Sequence, residues 1–179
     1  IPMPHVFLMG GGHCGQAIAT LLDQVGWSYS VHDTRPEFAS SELYPSAVAL
    51  SSKDIEALLS NESLKSMNRF SDVLLLGHDW SEDQERLLGL LGLFNQDGVA
   101  LDGSTAPRVG VIGSRSKWQA FRAECEGRGL PSTLLDQVIC PIGLNIGAES
   151  PEEIAVAVVA QIMSAFKRKD PTEPTWRQD

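Results

Sequence analysis

The stretch VFLMGGGHCGQAIATLLDQVGWSYSVHDTR, residues 6–35, leaves few folds open to a chain that contains it. An apolar run ends in three consecutive glycines. An amphipathic segment follows, and a second short run closes on an aspartate. Gly10, Gly12 and Gly15 fit G-x-G-x-x-G, set between a predicted strand and a predicted helix as that motif requires. Each glycine meets a separate demand. Gly10 permits the tight turn out of the strand, Gly12 lets a diphosphate approach the backbone with no Cβ in the way, and Gly15 lets the helix pack closely on the sheet. Backbone N–H groups at the positive helix end then face the phosphates. His13 and Cys14 fill the variable positions. His13 is read as a cap or phosphate contact, and Cys14 as a plain first-turn side chain.

Asp33 lies 18 residues beyond Gly15, at the end of the second predicted strand. An acid there accepts hydrogen bonds from both ribose hydroxyls of an adenosine and repels a 2′-phosphate, so an unphosphorylated ribose is the first expectation. Arg35, two residues on, is suited to accommodate that phosphate instead. A scaffold of this type that holds no ligand is the bland alternative.

The alternation continues along the chain. Short apolar runs at His5–Met9, Ser28–His32, 47–50, 72–77, 99–101 and 108–114 are interleaved with helical patterns, as in a parallel α/β sheet. The predicted class is α/β: a Rossmann-like open, mostly parallel sheet with helices on both faces. The segments 81–94 and 117–129 read as helices. The strongest helix pattern is SPEEIAVAVVAQIMSAFKRK, residues 150–169. Ser150 suits the N-cap, Pro151 the first helical position, Glu152 and Glu153 the positive end, and Lys167, Arg168 and Lys169 the negative end. Its apolar residues cover most of the circumference, which predicts extensive burial. One domain is expected over residues 1–169, with a flexible tail over 170–179.

At 179 residues the chain is long enough for one substantial core. A formal net charge of −9 argues against nucleic acid as a partner and lends no support to an anionic membrane surface. No apolar run reaches the length of a membrane-spanning helix. Three widely spaced cysteines, Cys14, Cys125 and Cys140, form neither a disulfide framework nor a zinc spacing, so a reducing cytoplasm is the expected location. No metal site is predicted.

Two further polar groups follow predicted strands: GHDW at 77–80 and GSRSK at 113–117. In an open parallel sheet both belong to the crevice that holds the glycine turn. His78 is the one histidine placed for proton transfer. Gly113 and Ser114 offer backbone N–H groups at a helix start, and Arg115 and Lys117 add charge for a phosphate or carboxylate. The glycine-rich segment 141–148 reads as a third wall or a subunit contact.

These segments resemble the C-terminal Rossmann domain of the xanthine dehydrogenase accessory protein family (XdhC/CoxI type). The shared pieces are the glycine turn 10–15, DTRPEFA at 33–39, the pair His78–Asp79, IGSRSK at 112–117 and PIGLNIGAESPEEIAVAVVAQI at 141–162. The resemblance implies a chaperone more than an enzyme. Such a protein holds the molybdenum cofactor (molybdopterin or its dinucleotide), assists its sulfuration, and delivers it to a xanthine dehydrogenase-like molybdoenzyme, with a cysteine desulfurase as a further partner. Longer family members add an N-terminal domain with a cysteine linked to the cofactor, and Gly77 stands where the family usually has threonine. The glycine turn and Asp33 support equally well an NAD(P)-dependent oxidoreductase with His78 as acid/base and Arg115 or Lys117 orienting an anionic substrate; a third reading is a nucleotide-sensing module forming a homodimer through its last helix and the 141–147 segment.

Overall fold

In the computed structural model, residues 3–177 are described. Five strands form one parallel sheet: β1 (His5–Met9), β2 (Ser28–His32), β3 (Leu50–Ser51), β4 (Asp72–Leu75) and β5 (Arg108–Val111), in the order β3-β2-β1-β4-β5. Apart from His5 and Asp72 at their first positions, the central strands β1 and β4 are apolar throughout, because both faces are covered. Val6, Leu8 and Leu74 point to one face. There they meet Ile18 and Leu22 of α1 (His13–Val25) and Val158 and Ile162 of α7 (Pro151–Lys167). Phe7, Met9, Val73 and Leu75 point to the other. They pack on Leu87, Leu90 and Phe94 of α4 (Trp80–Phe94) and on Phe121 and Cys125 of α5 (Arg115–Gly127). Shorter helices α2 (Ile55–Ser60), α3 (Leu64–Met67) and α6 (Ser132–Leu135) complete that layer. This is the Rossmann-like α/β sheet with helices on both faces that the alternation predicts.

β1 and β2 fall where the apolar runs place them. Three segments differ. Residues 99–101 make no strand: the Ala100 and Leu101 amides donate to the Thr105 hydroxyl and the Gln137 side chain, so the segment curls into a turn while Leu101 stays in the core. The third strand is shorter and later than 47–50. The last helix has Ser150 at its N-cap, in a capping box with Glu153, and Pro151 in its first turn. Its burial is one-sided, however, and Val156 is 51% exposed. After Lys167 the chain turns and makes a single 3-10 turn at Thr175–Arg177; residues 1, 2, 178 and 179, including the end of the expected tail, lie outside the described residues. Among the described residues no helix is long and apolar enough to cross a membrane.

Candidate functional site

The connections from β1 run to β2 on one side, and β4 and β5 lie on the other. The sheet order therefore reverses between β1 and β4, where an open α/β sheet places its ligand crevice. Three turns meet at that edge: 10–12 leading into α1, 77–79 into α4, and 113–114 into α5. Gly10 has φ +125° and donates its N–H to the His32 carbonyl at 2.7 Å. A Cβ there would stand 2.6 Å from the Leu76 carbonyl carbon and 2.7 Å from the Gly77 nitrogen, so the β1 and β4 turns touch backbone to backbone. At Gly15 a Cβ would lie 2.6 Å from the Gly10 carbonyl oxygen, as expected for a helix packed tightly on the turn. Among the described residues, a Cβ on Gly12 would meet no atom within 4 Å beyond its own chain neighbours. Asp79, Ser114 and Ser150 cap α4, α5 and α7, whereas α1 has no side-chain cap and no acid in its first turn. The open end thus belongs to the helix that follows the glycine turn. His13 is exposed beside it, and Cys14 is half-buried, its thiol pushed up by burial and by the charge of Glu152.

Asp33 closes β2 as expected, but its carboxylate is turned inward. Only 1% exposed, it accepts from the Gly11 N–H at 2.9 Å, from the Arg35 N–H at 2.9 Å, and from Arg35 Nε and Nη2 at 3.0 and 3.1 Å. Burial pushes this carboxyl up, yet the Arg35 guanidinium and the two N–H groups outweigh it and hold it below the usual carboxylate range. Arg35 also lies over the Phe38 ring at 3.9 Å. Tyr44, 1% exposed, donates its hydroxyl to the Gly11 carbonyl at 2.6 Å. Asp33 and Arg35 are therefore brought together with the glycine turn, bonded to each other.

On the far side of the crevice the expected cations part. Arg115 is exposed at the start of α5. Lys117 is buried, with its ammonium 2.9 Å from Asp83 Oδ2 and 2.9 Å from the Ile112 carbonyl. Asp83 also pairs with Arg86 at 2.9 Å and accepts the Gly77 N–H. One fully buried carboxylate faces two buried cations directly beneath the turns of β4 and β5. A Cβ on Gly77 would be 2.5 Å from both Arg86 Nη1 and Asp83 Oδ1, so a threonine at this place would collide with the pair. Sequence reading misses Asp83 and Arg86, because an acid in a helix's first turn and an arginine one turn later look like ordinary solvated residues. It also leaves His78 without a partner; the structure sets Glu82 Oε2 3.8 Å from His78 Nε2. His78, Asp79 and Glu82 bring their donor atoms within 4.8 Å of one another, a spacing a cation would tolerate. Their own bonds already account for it: Asp79 caps α4, and Glu82 accepts from the Thr34 hydroxyl at 2.5 Å.

The segment 141–148 walls the crevice beyond β5. With Ile112, Gly113, Ile154 and Ala157 it encloses a pocket of about 340 Å³. Sheet bonding fixes this wall: Ile139 donates to Val109, and Ile142 donates to Val111.

The fold and its edge define a Rossmann-type domain whose crevice is open at the α1 N-terminus and at the 113–114 turn. A family model described as the XdhC Rossmann domain matches residues 6–162, and the chain belongs to that family. It is 31% identical over 167 residues to a Bacillus subtilis protein described as a probable xanthine dehydrogenase subunit, covering 93% of this chain and 44% of that protein. It is 28% identical over 160 residues to the uncharacterized protein YqeB of Escherichia coli, covering 89% of this chain and 27% of that protein. Among solved structures, one described as a xanthine dehydrogenase (BH1974) from Bacillus halodurans superposes with a TM-score of 0.74 at 24% identity, over 93% of this chain and 45% of that one. A putative short-chain alcohol dehydrogenase from Burkholderia multivorans, with a TM-score of 0.51 at 16% identity and 92% of each chain covered, shares the fold. The chain spans less than half the length of the two curated relatives.

Proposed function

We propose that this domain is an accessory factor for a xanthine dehydrogenase-like molybdoenzyme, and that its cargo is the molybdenum cofactor, as molybdopterin or its dinucleotide. The observation that carries this reading is the match of residues 6–162 to the XdhC Rossmann domain. The geometry agrees with a carrier. A phosphate meets the uncapped N-terminus of α1 at Gly12 and His13, with Ser114 and Arg115 across the crevice. The pocket of about 340 Å³ beside Gly113 offers room and apolar walls for a fused-ring group. Asp33 and Lys117 act here through architecture: one holds the turn, the other the floor. The protein works in the cytoplasm, as a homodimer, and presents the cofactor for sulfuration by a cysteine desulfurase before transfer.

The test is anaerobic incubation with molybdopterin released from a molybdoenzyme, then gel filtration and fluorescence of the oxidised pterin. Stoichiometric co-elution, followed by a dose-dependent rise in the activity of an apo-molybdoenzyme, is the expected result. A protein that emerges free of pterin overturns the proposal.

A further inference from the structure

We propose that residues 33–44 are a fixed plug in the nucleoside half of the crevice. They restrict the site to ligands that bring a phosphate to the glycine turn and lay their organic part toward β5 and the 141–148 wall, and they reject adenosine dinucleotides. The inference concerns the ligand class of the crevice and rests on its being a ligand site, as proposed above.

In Rossmann sites the acid closing β2 grips the ribose hydroxyls, and the adenosine lies across the end of that strand. Here Asp33 occupies that position, and its acceptor capacity is filled by four N–H donors. A ribose would have to displace a bidentate guanidinium that also stacks on Phe38. The plug is anchored at both ends and along its side. The Phe38 carbonyl oxygen sits so close against the turn that a Cβ on Gly11 would lie only 1.8 Å from it. The Tyr44 hydroxyl holds the Gly11 carbonyl, and the Thr34 hydroxyl reaches across to Glu82 of α4. On the opposite side the crevice is free. Space is open at Gly12, and beside Gly113 a pocket runs along the 141–148 segment. The residues that in a dehydrogenase would bind the cofactor's ribose are here spent on binding one another.

The experiment titrates the full chain with pyrophosphate, ADP-ribose and NADH by calorimetry, beside an Arg35→Ala variant whose folding is checked by circular dichroism. The wild type is expected to bind pyrophosphate saturably and to show no saturable binding of ADP-ribose or NADH at millimolar concentration. Arg35→Ala frees two acceptor positions of Asp33 and is expected to bind ADP-ribose at least about tenfold more tightly than the wild type. Saturable ADP-ribose or NADH binding by the wild type overturns the plug, as does a folded Arg35→Ala that gains nothing. Failure of pyrophosphate alone to bind strikes instead at the crevice as a phosphate site, so the two failures are told apart.

Discussion

Asp83 shows how one carboxylate can hold three parts of a site. It joins Lys117 of α5, Arg86 of its own helix and the amide of Gly77. Removing an anion that faces two buried cations leaves an uncompensated charge, whereas removing one cation leaves the other paired. Asp83→Asn is therefore expected to cost about 3–5 kcal/mol, and Lys117→Met distinctly less; urea unfolding of the two variants side by side checks the order. Tyr44→Phe strips the Gly11 carbonyl of its short bond and leaves it the longer one from Gln16 at 3.3 Å, at a cost of about 1–2 kcal/mol by the same measurement. At this scale the sequence reveals what the glycines are for, because Gly10 and Gly15 obey a backbone rule that holds in any setting. It hides the employment of Asp33 and Lys117. Residue type says that an acid or a cation is present; only the surroundings decide whether it faces a ligand or a neighbour.

Among the elements, α1 and α7 begin near one another at the ligand edge but end their backbones differently. α7 is closed by Ser150 and Glu153, while α1 begins bare. Ser150→Ala is expected to lower thermal stability by about 1 kcal/mol, and to leave pyrophosphate binding unchanged. Gly15→Ala forces a methyl against the Gly10 carbonyl and pushes α1 off the turn. Loss of pyrophosphate binding in a variant that still melts cooperatively is the expected signature. Strands and long helices were legible because alternation and capping are local signals. Residues 99–101 were not, since their turn depends on Gln137, far along the chain. The one-sidedness of α7 was likewise hidden, because an apolar circumference does not say which side the sheet will take.

For the whole molecule, ionisation sets the window of stability. Burial lowers His32 and His5 below the ordinary histidine value of 6.5, so the folded state binds fewer protons than the unfolded chain as pH falls below that value. Stability is present above pH 6.5 and declines beneath it; Asp33, also held low, adds a further loss below its ordinary 3.8. On the alkaline side burial raises Cys125 from 9.0 to about 11, so its contribution is intact below pH 9.0 and lost across that interval. Thermal melts across pH should show a plateau between about 6.5 and 9 with descents on both flanks. The architecture as a whole was readable from the spacing of apolar runs, and the crevice from the ends of three strands. The plug within it was not, because it arises where a loop folds back on a turn more than twenty residues earlier. One consequence concerns how copies of this chain can meet. Gly110 forms a bridge with Ile139, and residues 139–142 take up the ladder positions along β5. That margin is already sealed, and the opposite one, β3, is two residues long. Neither β5 nor β3 therefore offers the long bare strand on which the sheets of two molecules join most readily, which favours helices and loops for any pairing of subunits.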